Sequence, residues 1–230
     1  MSIYVCGDVH GTNDIRKLNS RNWPEKKVLT KSDTLIQLGD FGHLWTNVPD
    51  RREKWWIKWF DEQPYTTAIV PGNHENYHRI NALPEEEKWG GTVKRVSKSI
   101  FILNRGEIYT IEGKTFFAFG GAQSTDKEWR VIDVSWWEDE LPSKAEEDHG
   151  LDSLNAVGNE VDFIVTHTAP ADVVGRCLGR WDRYNDPVSN YLSFIEETTE
   201  YGDWHFGHLH EDKSFGKFHC HYNAKPKKIV

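Results

Sequence analysis

Eight residues of this chain carry side chains that can hold a metal ion or move a proton, and each stands where an apolar run breaks off: Asp8, His10, Asp40, Asn73, His74, His167, His208 and His210. They come from five separate segments. The first is GDVHG at residues 7 to 11, where an extended backbone would send Asp8 and His10 out on one side, with flanking glycines leaving room for a sharp turn. Imidazole, carboxylate and amide together suit Mn, Fe, Zn, Ni or Co better than the all-oxygen shells of Mg or Ca. One ion does not need so many ligands; two ions sharing a carboxylate do, and ions about 3.5 to 4 Å apart are a standard device for cleaving phosphate esters.

Short strands must place these groups. Residues 3 to 6, 34 to 40, 65 to 70 and 161 to 166 are apolar runs that end at Asp8, Asp40, Asn73 and His167, and residues 204 to 206 lead into GHLH at 207 to 210. Between them, residues 50 to 63 form an amphipathic pattern with Trp55, Trp56, Trp59 and Phe60 on one side, and helices are expected at 14 to 18 (capped by Thr12), 142 to 157 and 187 to 201. Such alternation predicts an α/β protein whose functional groups gather at the carboxyl ends of strands. From Val93 short β-rich runs separated by turn signals predict a meander and a second sheet; 213 to 223 reads as a hairpin, and the basic tail from Lys225 as solvated. The long connection 120 to 141 is read as either a functional loop or an insertion anchored by Trp136 and Trp137.

No composition shift divides the 230 residues, which predicts a single domain over 1–230. No apolar run reaches the roughly 20 residues of a membrane span, and an initial strand beginning at Ile3 leaves no place for a leader. With three scattered cysteines, Cys6, Cys177 and Cys220, the expectation is a reduced, cytoplasmic protein. The net charge of −8 gives no general steering toward a phosphate backbone, so no obligate nucleic-acid partner is expected, and the 11 tryptophans are read as packing rather than a base-stacking platform.

Taken in order, GDVHG, GDFG, PGNHE, THTAP and GHLH resemble the signature blocks of the calcineurin-like metallophosphoesterase superfamily, from residue 7 to 210. The resemblance implies a four-layer αββα sandwich of two mixed β-sheets flanked by helices. It implies that Asp8, His10, Asp40 and His210 hold one divalent transition-metal ion, and that Asp40, Asn73, His167 and His208 hold a second, with Mn the first choice over Fe, Zn, Ni or Co. His74, beside a ligand, matches the family's general acid. His219 and His221 repeat the His-x-His spacing and are the rivals of His208 and His210; His43, His78, His149 and His205 are read as hydrogen-bonded surface or core residues.

Two departures set the chain apart from the protein serine/threonine phosphatases of that superfamily. Their second block reads GDxVDRG, where this chain has His43, Leu44 and Trp45, so the Asp that orients the acid is absent and Glu75 or His43 is left to serve. Pro71 replaces the Arg before GNHE. Both phosphate-clamping arginines are missing, which places the chain in the broader, non-PPP branch, and Arg130, Arg176 and Arg180 are the candidate substitutes. The expected activity is hydrolysis of a phosphate mono- or diester by direct attack of a metal-bridging hydroxide, with a small phosphoester or nucleotide as substrate. A protein phosphatase, a nuclease and a catalytically inactive metal-stabilised module are the alternatives.

Overall fold

The computed structural model describes residues 1–179 and 186–230. Its first half lays down β1 (Ile3–Cys6), β2 (Thr34–Gln37), α1 (Arg51–Asp61), β3 (Thr66–Ile69), α2 (Tyr77–Asn81), β4 (Glu85–Lys88), β5 (Gly91–Arg95) and β6 (Ile100–Leu103). The second half adds β7 (Glu107–Ile111), β8 (Lys114–Phe119), α3 (Lys144–Ala156), β9 (Glu160–Thr166), α4 (Ala171–Leu178), α5 (Pro187–Thr198), β10 (Glu200–Phe206), β11 (Lys213–Phe215), β12 (Phe218–Cys220) and β13 (Lys227–Lys228). Two sheets result, in the orders β13-β1-β2-β3-β6-β5-β4 and β11-β12-β10-β9-β8-β7. Both are mixed: β1, β2, β3 and β6 run parallel with antiparallel strands at the margins, as do β8, β9, β10 and β12 in the second sheet.

The side-chain period of two makes the layers. Along β1, Ile3 and Val5 point into a core shared with Phe116, Ala118 and Val165 of the facing sheet, whereas Tyr4 and Cys6 point outward to Trp23 and the α1 residue Phe60. Along β8, Phe117 and Phe119 point the other way, against Leu154 of α3, Val173 and Val174 of α4, and Leu192 of α5. Strands buried on both faces carry near-continuous apolar runs, which is why IYVC and IFIL show no alternation. The helices open as their caps dictate: Asp50 accepts from Glu53 N at α1, Ser143 and Glu146 form a capping box at α3, and Asp186 accepts from Val188 N at α5.

Several expectations shift. The sheet changes after β6, not at Val93, because β6 pairs parallel with β3 and carries β5 and β4 with it. Residues 200 and 201 begin β10 rather than ending α5. Thr12 caps nothing: residues Ile15–Leu18 form a 3-10 turn without a side-chain cap, and the Thr12 hydroxyl accepts from Arg52 instead. The tail lysines are exposed as expected, but its backbone is not free: Lys227 and Lys228 pair with β1, and Ile229 and Val230 pack against the inter-sheet core.

His205, His219 and His221 meet on the inter-sheet side of the second sheet. His205 stacks on Phe163, its Nδ1 lies 3.0 Å from His221 Nε2, and its ring lies 4.9 Å from that of His219. Burial, with the neighbouring imidazoles and Lys227 adding, pushes His205 down to about 2; burial, Lys227, His219 and Lys17 push His221 down to about 3. Histidines held neutral in the fold take up a proton on unfolding near pH 6.5, so the unfolded chain binds more protons and stability falls as pH drops below that value. Between pH 7 and pH 5, as read by chemical denaturation, the wild type should therefore lose up to about 2 kcal/mol more stability than His205→Phe. Equal losses in the two proteins would mean that these rings already carry protons in the fold.

Candidate metal centre

Backbone hydrogen bonds stitch the strand-end loops together before any side chain acts. Val9 N and His10 N donate to Asp40 O at 3.0 and 2.8 Å, and Gly207 N donates to His167 O at 2.9 Å. β1 ends at Cys6 and His10 sits at φ 46, so Asp8 and His10 converge through a turn rather than through strand alternation. Asp40, His208 and His210 share that left-handed region, at φ 52, 64 and 54. These four are half of the eight non-glycine residues with positive φ among the described residues, and such strain concentrated on one spot marks a functional site.

Glycines leave the space. A Cβ on Gly39 would lie 1.9 Å from His167 Nδ1, and one on Gly207 would lie 2.3 Å from Asp8 Oδ1, so neither position accepts a side chain without displacing its neighbour.

Asp8, His10, Asp40 and His210 each offer a ligand atom, all within 4.8 Å of one another, and form a group able to hold a metal ion. Asp8 Oδ1 accepts from His208 N at 3.0 Å, while Oδ2, fully buried, has no hydrogen-bond partner among the described residues and lies 3.3 Å from His210 Nε2. Asp40 Oδ1 accepts from His74 N at 2.9 Å, and Oδ2 lies 3.2 Å from His10 Nε2. An orphaned buried carboxylate oxygen and imidazoles aimed at carboxylates fit a divalent ion with mixed nitrogen and oxygen ligands.

On the other side of Asp40, His167 Nδ1 donates to Leu38 O at 2.7 Å, which turns Nε2 toward Asn73 Oδ1 at 3.0 Å and Asp40 Oδ1 at 3.4 Å. In neutral imidazole that nitrogen is a lone pair facing two acceptors, an arrangement that calls for a cation or a second proton. The His208 ring stands edge-on to His167 at 4.9 Å. Burial pushes His167 down, but Asp40 and Asp8 reverse it to a net rise; burial and the His167 charge hold His208 down at about 3. Asp40, despite burial, is held below the usual carboxylate range by His167, His10 and His74. His10, despite burial, rises to about 9 beside Asp40 and Asp14.

Residues that no motif announced hold these ligands in place. Asp14 lies 2.7 Å from His10 Nδ1 and leaves Nε2 for the cluster. Asn73 Nδ2 donates to Ser124 Oγ at 3.0 Å, which donates to Glu140 Oε2 at 2.6 Å, so the loop 120 to 141 sets the Asn73 amide. Buried Lys17 bridges the carbonyls of Asp8 and Tyr222, and the Tyr222 ring stacks on His210 at 4.5 Å. An acid four residues after His10 was the available signal for Asp14; the others are long-range contacts with none.

His74 is placed at the rim, its side chain 26% exposed, with Nε2 4.0 Å from Asp40 Oδ2 and its ring between Trp45 and His10. Neither proposed orienter reaches it. Glu75 accepts from Gly42 N and Gly72 N, and His43 stacks on Trp56. Arg130 lies nearby, bidentate to Asp126 and over the Trp45 ring, and its charge joins burial in lowering His74. Arg176 is exposed on α4, where its charge acts on Glu196, and Arg180 lies outside the described residues. His219 and His221 sit with His205, outside the cluster.

A family model described as calcineurin-like phosphoesterase matches residues 1–212, so Tyr222 and β13 lie beyond the match. No curated protein matches the chain.

Proposed function

The chain belongs to the calcineurin-like phosphoesterase family, whose members are hydrolases acting on phosphoric ester bonds, and on that premise we propose that it cleaves a small phosphate mono- or diester at a centre of two divalent transition-metal ions, Mn first among them. Asp40 carries the reading. One of its carboxylate oxygens faces His10 and the other faces His167, so a single side chain stands between two sets of ligands: Asp8, His10 and His210 on one side, Asn73, His167 and His208 on the other. When bound, the two ions supply an activated water near neutral pH and neutralise charge on the phosphoryl oxygens.

The remaining work falls to the chain. Asp14 and Leu38 O fix the tautomers of His10 and His167, so that both present Nε2. Burial and Arg130 keep the His74 ring below its ordinary range, and the negative charge of a bound phosphate favours the protonated ring, ready to donate to the departing oxygen. Arg130, held by Asp126 at the same rim, is the arginine we assign to meeting a phosphoryl oxygen, and its charge acting on His74 supports that reading. Among the described residues no helix is long and apolar enough to cross a membrane.

Turnover of p-nitrophenyl phosphate and of bis(p-nitrophenyl) phosphate with added Mn is the test, and the ratio of the two rates tells monoesterase from diesterase. Metal-dependent release of nitrophenolate, abolished by a chelator, is expected. Protein that binds two ions and cleaves neither ester would be a binding module instead.

A further inference from the structure

A cavity of about 300 Å³ opens directly beside the cluster, and nothing above assigns it a role. His10 forms part of its wall while lying 3.2 Å from Asp40, and Trp45 forms another part while its ring lies 5.8 Å from that of His74. A group seated there is joined to whatever phosphorus sits at the centre. The volume is at the small end for ligand pockets and suits one ring-sized group.

The lining decides the class. Apolar indole surface comes from Trp45 and Trp56, donors from Arg52 and the Asn13 amide, and acceptor oxygen from Asp50; the Asn13 side chain has no protein partner among the described residues. A second phosphate is disfavoured, because the Asp50 carboxylate shares the wall with the single guanidinium of Arg52. A plain alkyl chain is disfavoured too, since it would strip water from these polar groups and give no hydrogen bond back. A neutral ring bearing hydroxyls satisfies both the apolar indole surface and the mixed donors and acceptors. We propose that this cavity receives the sugar ring of the substrate's alcohol portion, so that the enzyme is selective for sugar-bearing phosphate esters.

The proposal rests on the phosphoesterase reading, and the experiment separates the two. With Mn-loaded protein, kcat/KM is measured on p-nitrophenyl phosphate, butyl phosphate, ribose 5-phosphate and adenosine 5′-monophosphate. Both ribose esters should exceed butyl phosphate by about tenfold or more, the worth of one or two net hydrogen bonds; the faster of the two tells a free sugar phosphate from a nucleotide. Asn13→Ala, an exposed change, and Trp56→Ala should each lower the ratio of ribose 5-phosphate to butyl phosphate, chiefly through KM. Turnover of all four esters with no preference for ribose, or a ratio untouched in folded Asn13→Ala, overturns the pocket assignment alone. No turnover of these four monoesters or of bis(p-nitrophenyl) phosphate overturns the phosphoesterase reading and the pocket assignment with it.

Discussion

Asp40→Ala is expected to empty the centre of both metal ions and to lower phosphoester turnover by more than about 10³-fold. The expectation follows from where the two oxygens point. Oδ2 faces His10 and Oδ1 faces His167, so the substitution removes a ligand from both sites at once. It also removes the buried negative charge that holds His10 at about 9 and offsets the burial of His167. The backbone carbonyl of Asp40, which accepts from Val9 and His10, survives the change, so the loops remain stitched and the protein should fold. Asp40→Asn is the milder companion: asparagine tolerates the left-handed φ of 52 and keeps the shape while losing the charge. Elemental analysis after reconstitution, together with melting curves with and without Mn, reads the outcome. Wild type should hold close to two ions and melt higher with metal; Asp40→Ala should do neither. A variant that retained two ions would move the bridge elsewhere.

The residues of that test were legible because each follows an apolar run, and Asp8, His10 and Asp40 also stand beside glycine, a local signal that survives in one dimension. Gly39 and Gly207 explain why: a Cβ at either would strike His167 or Asp8, so the glycine reports a contact made from far along the chain. Strand alternation would have served Asp8 and His10 had β1 continued, but it ends at Cys6 and a left-handed His10 does the turning. Sheet membership was illegible in the middle of the chain because β5, β6, β7 and β8 read alike as short β-rich runs, and only pairing partners far away in sequence tell that β6 joins β3 while β8 joins β9. The supports of the centre were hidden for the same reason. Ser124 reaches Asn73 across 51 residues, and Lys17 reaches Tyr222 across 205; neither spacing leaves a local pattern. Lys227 and Lys228 are exposed, as the charge of the tail implied, but charge does not report that their backbone pairs with β1 as an edge strand.

His74→Ala should keep both metal ions and lose rate according to the leaving group. Its backbone N–H, which holds Asp40 Oδ1 at 2.9 Å, is untouched by a side-chain change, and the ring itself comes no closer than 4.0 Å to that carboxylate. The metal content should therefore stand. A general acid contributes about 10² to 10⁴ in rate, and most when the departing oxygen is a poor leaving group. The loss should be small on p-nitrophenyl phosphate, whose phenolate leaves without a proton, and large on an alkyl or ribose ester. Neither Glu75 nor His43 supports the ring, which is flanked by Trp45 and His10 at 5.8 and 6.0 Å between centroids. Packing rather than a carboxylate holds this imidazole, so His74→Gln, which fills similar space without an acidic proton, should fall with His74→Ala on alkyl esters. Equal losses on aryl and alkyl esters, with metals retained, would assign the ring to binding phosphoryl oxygens. Lost metals would make it a ligand, and the acid would have to be sought elsewhere on the rim.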